Sequence, residues 1–116
     1  MLSIGSLVWG VNDLHRGIRF WSDALDYTLL REPSVDWAIL VPRDGEGQQL
    51  AISVVHDPAS TRRRHHLDLY ADDQHAEVQR LIGVGATTVD EWRYEDDADY
   101  VVLEDPDGNR FCVVQK

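Results

Sequence analysis

Three polar side chains alternate with leucines in one short stretch, His66-Leu67-Asp68-Leu69-Tyr70. Side chains two residues apart on a β-strand project from the same face, so the Cβ atoms of His66 and Asp68 would lie about 7 Å apart. An imidazole beside a carboxylate can orient a ligand or transfer a proton. The alternative is a solvated or structural polar pair. Tyr70 could donate a hydrogen bond to a carbonyl ligand, or it could only cap the edge of the sheet.

Cys112 is the only cysteine, so the chain cannot form an intramolecular disulfide. This composition is typical of a protein in the reducing cytoplasm. The sequence near Cys112 offers no base or helix terminus that would lower the thiol pKa, which favours a small buried hydrophobe over a nucleophile. Trp37 and Trp92 each fall in a predicted strand, where the rings could form a wall for a planar apolar ligand or pack in the core.

The elements that would position these residues occur twice along the chain. Alternating apolar residues predict a strand through Leu7, Trp9 and Val11, and an apolar stripe after the cap at Asn12 and Asp13 predicts a helix over 13–25. Strands are predicted next at 27–31, 36–41 and 49–55. The second half predicts a strand at 66–70, a helix from the Asp72-Asp73 cap to near Gly83, strands at 87–92, 99–104 and 110–115, and a tight turn at Asp105-Pro106-Asp107-Gly108-Asn109.

Aligning Asp13 with Asp73 repeats the β-α-β-β-β order at an offset of about 60 residues. We predict an α+β fold of one domain, 1–116, with module one at 1–56, a linker at 57–64 and module two at 65–116. The two modules would form a curved mixed-sheet cup with the helices on its outer face. If Leu7 and Leu67 share the helix-facing side of their strands with Trp9, Val11 and Leu69, then the cup receives Ser6, Val8, His66, Asp68 and Tyr70.

Composition narrows the classes of partner. A formal net charge of −10 would repel nucleic-acid phosphates and anionic lipid, so we expect neither as a partner. No apolar run approaches the roughly 20 residues of a membrane span, and the first residues lack the pattern of a secretory signal. We therefore expect a cytoplasmic protein. The basic cluster Arg62-Arg63-Arg64-His65-His66 is interpreted as a solvated loop that leads into a strand, although it could receive an anionic ligand.

Several segments, in order along the chain, resemble the vicinal oxygen chelate superfamily, which includes glyoxalase, bleomycin-resistance and extradiol dioxygenase proteins. The resemblance is to its glyoxalase-like domains, and it implies paired β-α-β-β-β modules and commonly a homodimer. The matching segments are Val11-Asn12-Asp13-Leu14, Phe20-Trp21-Ser22-Asp23-Ala24-Leu25, His66-Leu67-Asp68-Leu69 with Asp72-Asp73, Gly85-Ala86-Thr87 and Glu104-Asp105-Pro106-Asp107-Gly108-Asn109.

The resemblance also implies a divalent metal held by His, Gln or Glu from strands one, four, five and eight. In this chain the strand-one position falls on Ser6, and the strand-four position lies within 49–53, where Gln49 alone offers an oxygen donor of the usual kind. The strand-five position is His66, which matches, and the strand-eight position is Cys112 instead of glutamate. A pair formed by His66 and Cys112 would need a further ligand for zinc or copper, and His65 points to the other face of its strand. We predict no metal and no other cofactor.

Two functions of different classes remain open, with a purely structural or regulatory role as a third. The leading hypothesis is a metal-independent protein that binds a small molecule. The alternative is a lyase, isomerase or dioxygenase-like enzyme that uses His66 as a metal ligand or as an acid–base group steered by Asp68. The predicted ligand-binding residues are Ser6, Val8, Trp37, Ser53, His66, Asp68, Tyr70, Trp92 and Cys112, and the predicted catalytic pair is His66 and Asp68.

Overall fold

The computed structural model describes residues 1–56, 65–106 and 108–116. Within these residues no helix has the length and apolar character of a membrane span. The predicted linker at 57–64 lies outside the described residues. The elements follow the order β1 (Leu2–Val11), α1 (Leu14–Leu25), β2 (Tyr27–Leu29), β3 (Trp37–Pro42), β4 (Leu50–Val54), β5 (His65–Ala71), α2 (Gln74–Gly83), β6 (Thr87–Thr88), β7 (Tyr100–Glu104) and β8 (Arg110–Gln115).

This order confirms the α+β class and the two β-α-β-β-β modules. The chain divides into two compact units, one of Ser6–His65 and one of Met1–Gly5 with His66–Lys116. In the first unit, β1 pairs in parallel with β4, and the pairs β3–β4 and β2–β3 are antiparallel. In the second unit, β5 pairs in parallel with β8, and the pairs β7–β8 and β6–β7 are antiparallel. Both sheets are therefore mixed, and they share one pairing scheme.

Helix α1 covers one face of the first sheet. Its N-cap is Asp13, whose carboxylate accepts a hydrogen bond from the Arg16 amide, as the sequence predicts. The prediction that Leu7 joins this core is wrong, because Leu7 is 36% exposed and belongs to neither core cluster. Strand parity decides the face to which a side chain points, but not whether another element covers it. The core contains Leu14, Ala38, Leu40, Leu50 and Ile52, with Trp9, Val11, Ile18 and Trp21 packed against it.

Helix α2 covers one face of the second sheet in the same way. The Asp73 carboxylate caps it by accepting a hydrogen bond from the Ala76 amide, again as predicted. Leu67 was expected in this core, but it is 37% exposed, for the reason given for Leu7. The core contains Ala71, Val78, Ala86, Leu103 and Val113, with Leu2, Leu81, Val101 and Phe111 packed against it.

Strand β6 is much shorter than the predicted 87–92. It ends at Thr88, and a turn follows in which the Trp92 amide donates to the Val89 carbonyl at 3.1 Å. The pairing of β6 with β7 ends at Leu103. The backbone N–H of the preceding residue, Val102, donates instead to the Tyr94 hydroxyl at 2.8 Å. A side chain thus replaces the strand pairing. Residues 89–99, here called the acidic loop, consequently lie beside β7 and not within the sheet.

Candidate functional site

Three of the predicted site residues meet on one face of the second unit: His66, Asp68 and Cys112, hereafter the polar triplet. The Nε2 atom of His66 lies 3.3 Å from Oδ1 of Asp68. One possible ligand atom from each of the three side chains lies within 4.8 Å of the other two. This spacing would allow the triplet to hold a metal ion or to contact one small ligand together.

Strand pairing explains why these residues meet. In the parallel register of β5 and β8, Asp68 lies opposite Cys112, and Leu69 lies opposite Val113. Val113 is completely buried in the core under α2. Because successive side chains of a strand point to opposite faces, Cys112 and Asp68 must point away from that core. His66, two residues before Asp68, follows the same side.

The electrostatics of the triplet centre on Asp68. The pKa of the Cys112 thiol is raised to about 12, first by burial and then by the charge of Asp68 and its hydrogen bond with the thiol. The thiol is therefore neutral at physiological pH and donates to the carboxylate. Asp68 has only 18% of its side chain exposed, whereas His66 has 35%. The imidazole is thus the member most accessible to a ligand.

The structure corrects one expectation about this group. The sequence indicated that His66 and Cys112 lacked a further ligand, yet the Asp68 carboxylate stands beside both. Asp68 was recognised as the neighbour of His66 through strand parity, but its contact with Cys112 depends on the register between two strands that are distant in sequence. The internal repeat is consistent with this pairing, because the equivalent strands of the other unit, β1 and β4, also pair in parallel.

Tyr70 follows the triplet on β5, but its ring serves the packing of the sheet. A Cβ atom placed on Gly5 would lie 2.3 Å from the ring, so the ring rests directly on that glycine. The Lys116 ammonium lies 4.7 Å from the centroid of the same ring, at cation–π distance. These contacts favour the structural interpretation of Tyr70, and its ligand-binding role stays a prediction.

Trp92 approaches the triplet's side of the sheet from the acidic loop and not from a strand, which corrects its predicted position. Its indole Nε1 donates to the Tyr100 hydroxyl at 3.4 Å, and the Arg110 guanidinium lies 6.0 Å from its ring centroid. In the register of β7 and β8, Tyr100 lies opposite Val114, and Arg110 lies opposite Glu104. Both side chains therefore lie on the same face of the sheet as Cys112. Sequence reasoning missed Tyr94, Tyr100 and Arg110. Their alternation on β7 and β8 could have placed the last two on this face.

Four other predicted residues belong to the first unit. Val8 pairs with Ala51 and Trp37 with Ser53, so Val8, Trp37 and Ser53 share the face of that sheet opposite the α1 core. Ser6 has the same parity on β1, is 1% exposed, and donates its hydroxyl to the Leu7 carbonyl at 3.2 Å. Each unit thus carries its own set of predicted residues on the face away from its helix.

His65 points away from the triplet, as strand parity predicts. Its ring stacks on Trp9 with a centroid separation of 3.6 Å and an interplanar angle of 1°. Its Nδ1 atom accepts a hydrogen bond from the Gly10 amide at 3.3 Å. The three arginines of the basic cluster, Arg62, Arg63 and Arg64, lie outside the described residues.

Comparison with known proteins identifies the family. A model of the glyoxalase-like domain matches residues 6–114. No curated protein matches the sequence. Among solved structures, methylmalonyl-CoA epimerase from Mycobacterium tuberculosis shares 22% identity with a TM-score of 0.68, over 97% of this chain and 86% of that one. A glyoxalase/bleomycin resistance protein/dioxygenase superfamily member from Vibrio splendidus shares 13% identity with a TM-score of 0.67, over the whole of both chains.

A hypothetical protein from Bacillus halodurans shares only 10% identity but has a TM-score of 0.73, over 99% of this chain and 94% of that one. At such identities the likeness concerns the fold alone. The family match, in contrast, covers nearly the whole chain and both modules. The chain therefore belongs to the family of glyoxalase-like domains.

Proposed function

We propose that this protein binds a small molecule at the polar triplet and does so without a resident metal. The observation that carries the proposal is the sharing of one carboxylate, since Asp68 accepts from the Cys112 thiol and lies 3.3 Å from His66. The thiol and the imidazole thus each have a polar partner within the protein. Buried polar groups without such partners would need a metal, a water or a ligand to complete them.

The donors at the family's metal positions fit a divalent metal site poorly. Ser6 offers a hydroxyl that already donates to a backbone carbonyl, and serine is a weak ligand at neutral pH. Cys112 replaces a glutamate, and a thiol ligand must lose its proton before it binds a metal. His66 keeps the usual donor, and within 49–53 Gln49 is the one residue that offers another of the usual kind.

Metal analysis tests the proposal directly. Protein purified without chelator would be assayed for bound transition metals by inductively coupled plasma mass spectrometry, beside His66→Ala as a matched control. We expect the same level in both proteins, well below one metal per chain. Stoichiometric metal in the natural protein that is lost in His66→Ala would overturn metal independence.

A second candidate is acid–base catalysis by His66. The 3.3 Å contact with Asp68 would fix the orientation and tautomer of the imidazole, as a carboxylate does for many catalytic histidines. One protein of similar fold is an epimerase, a class of enzyme that moves a proton at carbon. Under this hypothesis, Asp68 positions His66, and His66 removes or returns the proton.

Deuterium incorporation distinguishes the two candidates. Methylmalonyl-CoA would be incubated with the protein in heavy water, and exchange at its acidic carbon followed by proton NMR. Exchange that His66→Ala abolishes, with an unchanged circular dichroism spectrum, would support catalysis. Exchange that persists in His66→Ala would refute the assigned role, and binding of the thioester without exchange would favour the binding protein.

We further propose that the chain acts in the cytoplasm as a homodimer, with no nucleic acid or membrane partner. The single cysteine and the negative net charge support the compartment and the partners. The dimer rests on the resemblance alone. Sedimentation equilibrium should give twice the chain mass of 13.2 kDa, and a mass equal to one chain would contradict it.

A further inference from the structure

An aromatic wall is formed by Trp92 and Tyr94 of the acidic loop and by Tyr100, the first residue of β7. The rings of Tyr94 and Tyr100 lie 5.5 Å apart at their centroids with an interplanar angle of 51°. The indole of Trp92 donates to the Tyr100 hydroxyl, and that hydroxyl donates to the Glu95 carboxylate at 3.0 Å. Tyr94 is fixed separately by the Val102 amide. Hydrogen bonds thus hold all three rings in place.

The wall adjoins the polar triplet. Val102, whose amide binds the Tyr94 hydroxyl, is the register partner of Cys112 on the next strand. Burial is the first cause of the raised pKa of Tyr100, and the charge of Cys112 is among the others, so the phenol and the thiol are near enough to interact. Adjacent strands lie about 4.8 Å apart, which places the wall within two strands of Asp68.

Two of the three rings keep a large part of their surface in solvent. Trp92 is 39% exposed and Tyr94 is 44% exposed. A ring held by hydrogen bonds but left uncovered has little conformational entropy to lose when a flat molecule stacks on it. Beyond the hydrogen bond by which Tyr94 replaces strand pairing, rings that are fixed and uncovered offer a flat surface on which a planar ligand can stack.

The charge around the wall and the triplet favours a cation. Asp68, Glu91, Glu95 and Glu104 provide four carboxylates, against the guanidiniums of Arg110 and, in the acidic loop, Arg93. Arg110 already pairs with Glu91 at 2.7 Å and with Glu104 at 3.2 Å. Its position 6.0 Å from the Trp92 ring centroid shows that the indole faces positive charge in the protein itself.

We infer that the polar triplet and the aromatic wall together bind a planar aromatic molecule that carries a positive charge. This inference rests on the proposed binding function and names the class of its ligand. The ring of the ligand would stack on Trp92 and Tyr94, and its charge would be stabilised by Glu95 and Asp68. Electrostatic attraction of this kind weakens as salt is added.

Three tricyclic probes of similar shape test the inference. At neutral pH proflavine is a cation, acridine is neutral and anthracene-9-carboxylate is an anion, and their binding to the full chain would be measured by fluorescence titration at low salt. We expect proflavine to bind about tenfold more tightly than acridine, and the anion to bind most weakly. The preference for proflavine should shrink in high salt.

Matched variants locate the site. Trp92→Leu should weaken proflavine binding about tenfold, whereas Phe20→Leu, at an exposed ring on α1, should leave it unchanged. Glu95→Gln should weaken proflavine binding but not acridine binding, and Glu46→Gln, in the exposed turn between β3 and β4, serves as its charge control. Circular dichroism and urea unfolding would verify the fold of each variant.

The outcomes distinguish failure of this inference from failure of the proposed binding function. Equal affinities for the three probes, or proflavine binding that survives Trp92→Leu, would overturn the cationic planar class. The proposed binding function would still hold in that event if His66→Ala or Asp68→Asn weakened the binding of acridine. Failure of all three probes would overturn the inference, and stoichiometric metal at the triplet would overturn metal independence whatever the probes show.

Discussion

Asp68 is the residue on which the candidate site depends. Its carboxylate accepts from the Cys112 thiol and lies at hydrogen-bond distance from the His66 imidazole. A carboxylate placed between two polar groups interacts with both, so the three side chains form one connected group. Substitution at any one of the three positions should therefore alter the chemistry of the other two.

The Cys112 thiol should make folding sensitive to alkaline pH. A thiol pKa raised to about 12 in the folded protein, from an ordinary value of 9.0, contributes stability that is fully present below pH 9 and is lost as the pH rises towards 12. The free energy of unfolding should fall by up to about 1.4 kcal/mol per pH unit in this window. Urea unfolding of the natural protein and of Cys112→Ala, measured from pH 7 to pH 11, checks this prediction.

The comparison with Cys112→Ala is necessary because Tyr100 also has a raised pKa, mainly from burial, and acts in the same direction at high pH. The tyrosine is present in both proteins, so only the difference between their slopes reports the thiol. Parallel slopes would mean that Cys112 is not held in its neutral form.

Removal of the Asp68 charge should make the thiol more reactive. Asp68→Asn lowers the Cys112 pKa because two of its three causes involve this carboxylate, although burial, the largest cause, remains. Alkylation of Cys112 by iodoacetamide at mildly alkaline pH, followed by mass spectrometry, should accelerate severalfold, since the thiolate is the reactive form. Asp72→Asn, which removes an exposed carboxylate just after β5, should leave the rate unchanged. An unchanged rate in Asp68→Asn would contradict the assigned hydrogen bond.

At the scale of elements, the first residues of β1 depend on a cross-strand contact. The Tyr70 ring of β5 lies on Gly5, which leaves no space for a methyl group at that position. Aromatic rings that cover glycines in this way stabilise a sheet by shielding backbone that a side chain would otherwise cover. The same contact assigns the Tyr70 ring to the packing of the sheet.

Gly5→Ala should destabilise the protein by about 1–3 kcal/mol, because the new methyl group would overlap the Tyr70 ring. Gly83→Ala, at the end of α2, places its methyl group where no atom lies within 4 Å, and should be neutral or stabilising by up to about 1 kcal/mol. Chemical unfolding of both variants checks the contrast. The cost of Gly5→Ala should shrink when it is combined with Tyr70→Leu, and an equal cost in that background would refute the clash.

The sequence predicted the elements better than it predicted the contacts between them. Both helices and their caps could be predicted, because Asp13 and Asp73 act on amides three residues away. Strand β6 could not, because a hydroxyl of Tyr94 replaces its pairing with β7. The Asp68–Cys112 contact likewise depends on pairing across more than 40 residues. Local patterns specify caps and faces, whereas register is decided by the whole sheet.

At the scale of the whole molecule, the net charge of −10 governs encounters with other macromolecules. We expect the protein not to bind nucleic acid or anionic lipid, because their phosphates would be repelled from most of its surface. Gel-shift assays with double-stranded DNA and flotation with phosphatidylserine vesicles, both at low salt, should show no binding. Lysozyme, a basic protein of similar size, provides the positive control. Binding at low salt that high salt abolishes would show that the Arg62–Arg64 cluster outweighs the overall charge.

The shared carboxylate also bears on how this sequence can diverge. Asp68 contacts both Cys112 and His66. Replacing the thiol alone leaves the carboxylate with one donor fewer, and replacing Asp68 alone leaves a buried thiol without its acceptor. Under the proposal that this site holds no metal, a route from it to a metal-binding site requires paired substitutions instead of a single step. In close relatives, residues 66, 68 and 112 should consequently be inherited as a block, and lineages that carry glutamate at 112 should also differ at 68.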